Sequence, residues 1–458
     1  MLNKNWFQQK PQRQSDYKME HQTIVAQTTP VGRSGVACIR LSGPKAFYLA
    51  RKISDLNKKT PHRRACFSTI YDEHMNKVDD GVFVFFKSPL SYTGEDVVEI
   101  SCHGNPYISE RIIQATTVLG ARVAEPGEYT KRAFLNGKMD LAQAESVGLL
   151  ISSRSREAAE HQTKNLSGAA SNRIKKMQEE LVALLSCLEF EFDISEEEAN
   201  LSSLSLGLLK SLKNNCLETN NLIDTFALGH AYTSGLRVVI VGEPNVGKST
   251  LMNSILGSNR SITDLAAGTT RDTITAEIII GGLPTTLIDT AGIRPTKDRV
   301  ELAGVDRALS ELDRSDLVLS VFSPETQEIE NIEDTLKISV YNKSDIKKYS
   351  GNKHSIVSVS ALKNKGINSL IKTIEKTLKD ARPYSEDILI NTERQKGALK
   401  LCSSYLEKAI DNLDSTPPSL ELVAADLRAA IDSLSSFLGK TTTDKILNQV
   451  FSTFCVGK

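Results

Sequence analysis

No apolar run in this 458-residue chain approaches the roughly 18 residues that a membrane-spanning helix needs, and the N-terminus lacks the hydrophobic segment of a secretory leader. The expectation is therefore a protein with no membrane partner, working in the cytoplasm. Cysteine is sparse. The seven residues Cys38, Cys66, Cys102, Cys187, Cys216, Cys402 and Cys455 are odd in number and contain no C-x-x-C pair, which argues against a disulfide framework or a zinc site and fits a reducing compartment. A charge of one sign is lacking too. Lys+Arg 56 equals Asp+Glu 56, so no global positive field advertises nucleic acid, and any RNA contact has to be local or shared with a partner. The first 20 residues are polar and rich in Gln and Lys. With Asp16 present and no apolar stripe they read as a flexible extension, or as residues upstream of a start at Met19, in preference to a targeting segment.

What the chain does contain is GEPNVGKST at residues 242–250, directly after the apolar run Leu236 to Val241. In a G-x-x-x-x-G-K-[ST] loop, Gly242 and Gly247 let the backbone curl so that successive N–H groups point at phosphates, at a helix N-terminus whose dipole also favours anions. Lys248 brings a point charge to the β and γ phosphates, and the Ser249 hydroxyl serves a magnesium ion. NKSD follows at Asn342 to Asp345. Alone it reads as a surface turn. In order after a phosphate loop, and with Ser360-Ala361-Leu362 downstream, it reads as a guanine reader, because the Asp345 carboxylate can accept two hydrogen bonds from guanine that adenine does not offer.

Between these signals lie two segments suited to sensing the γ phosphate. Asp289-Thr290-Ala291-Gly292 follows an apolar stretch, which puts the carboxylate at a strand end near a magnesium water shell, while Gly268-Thr269-Thr270-Arg271-Asp272 offers Thr270 as a second magnesium ligand. The expected GTP contacts are Asn245, Val246, Gly247, Lys248, Ser249 and Thr250; Thr263, Asp264, Leu265, Ala266, Ala267, Gly268, Thr269 and Thr270; Asp289, Thr290, Ala291 and Gly292; and, around the base, Asn342, Lys343, Ser344, Asp345, Ser360, Ala361 and Leu362. Ras-like enzymes carry a glutamine after D-x-x-G to orient the attacking water, but Ile293 stands here and cannot hydrogen-bond it. Glu301 is a nearby acidic candidate, although by itself it reads as a solvated carboxylate at a helix start.

The length fits about three domains. Short β-type runs at Thr23 to Ala26, Val36 to Leu41, Val82 to Phe86 and Val97 to Ser101, with a helix near Tyr107 to Leu119, predict an α+β N-terminal domain. Ile174, Met177, Leu181, Leu184, Leu188 and Phe192 recur at helical spacing, as do Leu209, Leu212, Cys216, Ile223 and Phe226, and again Leu420, Val423, Leu427, Ile431, Leu434 and Leu438. Helical stretches on both sides of a self-sufficient nucleotide segment predict a multidomain fold: an α+β N-terminal domain, a central helical bundle and an inserted α/β P-loop G domain. The boundaries expected are 1–21 for the extension, 22–138 for the N-terminal domain, 139–234 and 383–458 for the two parts of the helical domain, and 235–382 for the G domain.

Four longer motifs carry a family resemblance: TIVAQTTPVGRSGVACIRLSG at Thr23 to Gly43, YTGEDVVEISCHG at Tyr92 to Gly104, GEYTKRAFLNGKMDLAQAES at Gly127 to Ser146, and FCVGK at Phe454 to Lys458. Through them the chain resembles the MnmE (TrmE) family of tRNA-modification GTPases over nearly its whole length. The resemblance implies a cytoplasmic homodimer that joins a flavin-bearing (FAD) MnmG-like partner in a heterotetramer and acts on tRNA. Together they would add a carboxymethylaminomethyl or aminomethyl-type group at carbon 5 of the wobble uridine, with a one-carbon unit from 5,10-methylene- or 5-formyl-tetrahydrofolate. It implies that residues 22–138 form the folate-binding and dimerisation domain, that Arg40, Glu99, Lys138 and Lys458 line the folate pocket, and that Cys455 lies near the one-carbon centre. It further implies that K+ sits between the phosphates of paired G domains in place of an arginine finger, bound by Asn245 and by carbonyls of Thr263, Leu265 and Thr269. Ser249 and Thr270 would hold Mg2+, and Glu301 becomes the water-orienting catalytic residue.

The chain departs from the family pattern at three places. TDLAAGTTRD from Thr263 is one residue longer than the expected TDI-[AP]-GTTRD, Arg394-Gln395 stands where an Arg-His pair is usual, and Leu438-Gly439-Lys440-Thr441 lacks a second glycine, which predicts a changed helix end. The competing reading is a ribosome-assembly-type GTPase switch, which has no need of a one-carbon pocket.

Overall fold

The computed structural model describes residues 22–192, 201–258, 274–289, 311–312, 314–328, 335–350, 356–381, 388–416 and 418–458. The chain forms two compact units, one made of the chain up to Gly148 with Gly439–Lys458, the other of Leu149–Leu438.

In the first unit, strands β1 (Ile24–Gln27), β2 (Ser34–Ser42), β3 (Ala65–Tyr71), β4 (Lys77–Phe86), β5 (Val97–Gly104) and β6 (Arg122–Val123) make a six-stranded sheet in the order β3-β4-β5-β2-β1-β6. Every neighbouring pair is antiparallel except β1 with β6. Alternation drives one face inward: Ile39, Leu41, Phe83, Phe85, Val98 and Ile100 pack against Leu49 and Ala50 of helix Ala46–Lys52 and Ile112 and Ala115 of helix Pro106–Val118. The strand β3 escapes sequence reading for a physical reason: it is an edge strand whose outward Phe67 is 73% exposed, so its apolar residues do not mark its buried side. Helix Asp444–Ser452 closes the unit by burying Leu447 and Phe451 against Leu141, Ala144 and Phe134.

The second unit holds β7 (Leu236–Val241), β8 (Ile274–Ile280), β9 (Leu283–Asp289), β10 (Leu317–Phe322), β11 (Lys337–Tyr341) and β12 (Ile356–Ser358) in the order β12-β11-β10-β7-β9-β8. All pairs are parallel except the β8-β9 hairpin. Strand β10 is buried along its whole length, as a parallel strand covered on both faces must be. Leu251 and Ile255 of helix Lys248–Ser258 and Leu370, Ile374 and Leu378 of helix Ile367–Asp380 complete the core.

Beside this sheet, helix Glu393–Asp414 packs on both Leu420–Phe437 and Leu201–Asp224, and helix Ala169–Phe192 packs on Leu420–Phe437. The bundle therefore draws on both flanks of the sheet. Ile174, Met177, Leu181, Leu188, Leu212, Cys216, Val423, Leu427 and Leu434 are buried, while Leu184, Leu420 and Ile431 are half-buried. Leu208 and Leu222, one residue from the expected Leu209 and Ile223, carry the buried stripe, and Phe226 opens a separate helix, Phe226–Ser234. At Arg394-Gln395 the helix start is capped from both sides: Thr392 accepts from Gln395 N, and Gln395 Oε1 reaches past the cap to accept from Asn391 N at 3.0 Å. Arg394 donates to the carbonyls of Ser436 and Phe437, tying two helix ends together.

Candidate functional site

The phosphate loop runs from the end of β7 into helix Lys248–Ser258. A Cβ on Gly242 would stand 2.2 Å from Val321 O, and one on Gly247, at φ +93°, would stand 2.5 Å from Asn342 Nδ2. Both positions therefore need glycine. Asn245 takes a left-handed conformation at φ 65°, which an asparagine tolerates better than most residues. The side chains of the loop are engaged with one another. Lys248, 7% exposed, donates to Gly242 O at 2.8 Å and Glu243 O at 2.9 Å, and burial pulls its ammonium below the usual lysine range against the opposing charge of Asp289. Ser249 Oγ donates to Asp289 Oδ2 at 2.5 Å, and Asp289 is fully buried at the end of β9, in register with Ile240 of β7. A hydroxyl and a carboxylate held this close form an oxygen donor set of the kind a hard cation such as Mg2+ takes.

Asn342 does more than the four-letter motif foretells. Its Nδ2 donates to Val246 O at 2.9 Å, and its Oδ1 accepts from Ala361 N at 3.0 Å. One buried amide thus fastens the phosphate loop to the loop carrying Ser360, Ala361 and Leu362. Asp345 is exposed, with its carboxylate accepting from Ser360 Oγ at 2.5 Å; that bond, before all other causes, holds its pKa below the ordinary aspartate value. Lys343 adopts φ 59° and lies 3.5 Å from Glu325, Ser344 N donates to Val359 O, and Leu362 is 76% exposed. Thr250 continues the first helical turn. The structure thus brings the phosphate-loop residues, Asp289, Asn342, Asp345 and Ser360 to one end of the parallel sheet. Thr263, Asp264, Leu265, Ala266, Ala267, Gly268, Thr269, Thr270, Thr290, Ala291, Gly292 and Glu301 lie outside the described residues.

A second polar site lies in the first unit. Arg40 on β2 and Glu99 on β5 are register partners, and Arg40 Nε and Nη2 both donate to Glu99 Oε1, at 2.9 and 2.8 Å. The guanidinium lies 5.1 Å from the Tyr92 ring centroid and 5.5 Å from that of Tyr129. Lys138 is exposed and donates to Pro89 O at 3.1 Å. The last five residues dock on the same unit: Lys458 O accepts from Tyr129 N at 3.0 Å, Cys455 O accepts from Gly127 N at 3.4 Å, and a Cβ on Gly457 would stand 2.3 Å from Gln27 O. Cys455 is an exposed free thiol. Tyr92 and Tyr129 stand inside the motifs that carry the resemblance, but neither carries a charge that marks it from sequence as a site residue. Below this site, Glu128 and Arg132, each under 10% exposed, pair with each other at 2.9 Å and extend to Arg122 and Glu95.

A glycine-bent phosphate loop, a buried aspartate against its serine and an N-K-x-D reader on a parallel sheet define a P-loop guanine-nucleotide-binding protein. Residues 23–138 match the family model described as GTP-binding protein TrmE N-terminus, and residues 141–455 match the MnmE helical domain. The chain is 39% identical over 450 residues to the tRNA modification GTPase MnmE of Aquifex aeolicus (strain VF5), covering 95% of this chain and 99% of that protein. It is 38% identical over 453 residues to that of Thermotoga sp. (strain RQ2), covering 95% and 100%, and 37% identical over 456 residues to that of Dechloromonas aromatica (strain RCB), covering 96% and 100%. The chain belongs to the MnmE (TrmE) family. Among the described residues no helix is long and apolar enough to cross a membrane.

Proposed function

We propose that this protein is a potassium-stimulated GTP hydrolase that acts in the cytoplasm as a homodimer. Working on tRNA with an MnmG-like FAD protein in a heterotetramer, it adds a carboxymethylaminomethyl or aminomethyl-type group at carbon 5 of the wobble uridine, using a one-carbon unit from 5,10-methylene- or 5-formyl-tetrahydrofolate. In this reading a G domain at about 235–382 is inserted into a helical domain of residues 139–234 and 383–458, and residues 22–138 bind folate and form the dimer. Full-length similarity to proteins named tRNA modification GTPase supports the class of reaction.

On GTP binding, Lys248 exchanges the carbonyls of Gly242 and Glu243 for phosphate oxygens, while loop amides cradle the phosphates. Ser249 and Thr270 would hold Mg2+, with Asp289 hydrogen-bonded to Ser249, and the ion would supply positive charge to the phosphates. Asn245 with carbonyls of Thr263, Leu265 and Thr269 would hold K+, which would supply the positive charge that an arginine finger brings elsewhere. Glu301 orients the attacking water in place of the glutamine that Ile293 replaces. Asp345, kept ionised, selects guanine. In the first unit Arg40, Lys138 and Lys458 would offer cations to the folate glutamate tail and ring oxygen, Glu99 would accept from the pterin edge, and Cys455 would lie near the one-carbon centre.

What carries this reading over a ribosome-assembly switch is the Arg40–Glu99 pair, 59 residues apart in sequence, joined beside two aromatic rings in the unit to which the final residues also dock. A switch needs no one-carbon site. Mass analysis of wobble nucleosides from cells lacking this gene tests the proposal, with loss of the carbon-5 side chain as the expected result and an unchanged nucleoside profile as the contrary one. GTP turnover should also rise strongly when potassium replaces sodium; equal rates in both salts would sink the potassium assignment.

A further inference from the structure

We propose that Tyr129 is a positioning residue for the one-carbon site, holding Arg40 and Lys458 in register; this rests on the folate reading of those residues given above. Tyr129 lies in the first turn of helix Glu128–Leu135 and is fully buried. Its hydroxyl donates to Arg40 O at 2.6 Å, and its backbone N–H donates to Lys458 O at 3.0 Å. Its ring also lies 5.5 Å from the Arg40 guanidinium. One residue therefore touches two site members that stand at opposite ends of the sequence.

The same turn reaches a third group. Thr130 Oγ1 is hydrogen-bonded at 2.8 Å to the hydroxyl of Tyr92, whose ring is the other aromatic surface near Arg40. Just before the turn, Gly127 takes φ +67°, and a Cβ there would stand 2.5 Å from Phe451 O. Only glycine lets the C-terminal helix lie so close. Main chain of β2, the docked tail and Tyr92 are thus fixed by contacts within four consecutive residues, Gly127 to Thr130.

A buried tyrosine hydroxyl with a partner at 2.6 Å resists displacement, because breaking the bond leaves a donor and a carbonyl unsatisfied away from water. The hydroxyl bond to Arg40 O pins the Tyr129 ring against which the guanidinium lies, while Glu99 sets the direction of the fork. Phenylalanine at 129 keeps the ring, its packing and its backbone bond to Lys458, and removes only the hydroxyl.

The test uses the full chain, with 5-formyl-tetrahydrofolate affinity measured by titration calorimetry and GTP turnover as the control. Tyr129→Phe is expected to weaken folate binding about fivefold with turnover of GTP unchanged. In an Arg40→Lys background, which keeps a cation but loses the fork, the same change should have almost no further effect; a merely structural role would cost the same factor in both backgrounds. Thr130→Val, which releases Tyr92 and spares Tyr129, is the second variant and should weaken folate binding in the same background-dependent way. If wild type binds folate and both variants bind it equally well, or lose the same factor in both backgrounds, the positioning role is overturned while the folate reading stands. If wild type itself binds no folate, the folate reading falls and this inference with it.

Discussion

The two sites are built on opposite plans. In the second unit the nucleotide site comes from short contiguous motifs at one end of a parallel sheet, and its polar groups hold one another: Lys248 on its own loop carbonyls, Ser249 on Asp289, Asp345 on Ser360. In the first unit the polar site comes from four separated motifs, and Arg40 meets Glu99 across strands while Tyr129 reaches both β2 and the tail. A site made from one loop can be recognised from spacing, because the backbone geometry is local. A site made from tertiary neighbours cannot, because no spacing in the chain encodes which strands lie side by side.

Four substitutions would break or sharpen that contrast. Lys248→Ala should lower GTP turnover by roughly 10²- to 10³-fold while circular dichroism stays native, because the ammonium answers charge that grows in the transition state; a fall of less than tenfold would mean the loop works without it. Asp345→Asn should weaken GTP binding by about 2 to 3 kcal/mol and favour a xanthine nucleotide, since the amide now donates where the carboxylate accepted; competition binding with the two nucleotides reads this directly. Gly457→Ala puts a Cβ 2.3 Å from Gln27 O at φ +96°, and should cost about 1 to 2 kcal/mol of first-unit stability without touching GTP affinity. Hydrogen exchange at β1, compared with exchange at β7, separates the two units; equal loosening of both would contradict the division.

The smallest effect is a pH shift. The Ser360 hydroxyl holds the Asp345 carboxyl below its ordinary value, so in the wild type the ionised form, which the base requires, persists as pH falls. Ser360→Ala removes the first of the causes that hold it down and moves the carboxyl back toward the ordinary aspartate range. Loss of GTP affinity on acidification should then begin at a higher pH in the variant than in the wild type, and overlapping titration curves would show that the hydroxyl has no such role.

Legibility followed the same divide. Strands β1, β2, β4 and β5 and helix Pro106–Val118 were visible in the sequence because their apolar residues alternate or recur with the period of the element. The edge strand β3 was not, with Phe67 facing out, and neither was helix Glu128–Leu135, whose buried residues include Glu128, Thr130 and Arg132. An apolar pattern cannot report a helix that buries charge. Arg40, Glu99, Lys138 and Lys458 were legible only through resemblance, since each alone reads as a surface or strand-edge charge. The coupling through Asn342 and Tyr129 was not legible at all: both depend on which loop or strand lies within about 3 Å of a side chain, and the chain's order says nothing of that.

The docking of Gly439–Lys458 beside the first strands has a consequence for birth order on the ribosome. The strands of this unit emerge early, yet Leu141, Ala144 and Phe134 receive their covering partners Leu447 and Phe451 only after all of Leu149–Leu438 has been made. The packing of Leu141, Ala144 and Phe134 is therefore completed only when the last residues of the chain have been made.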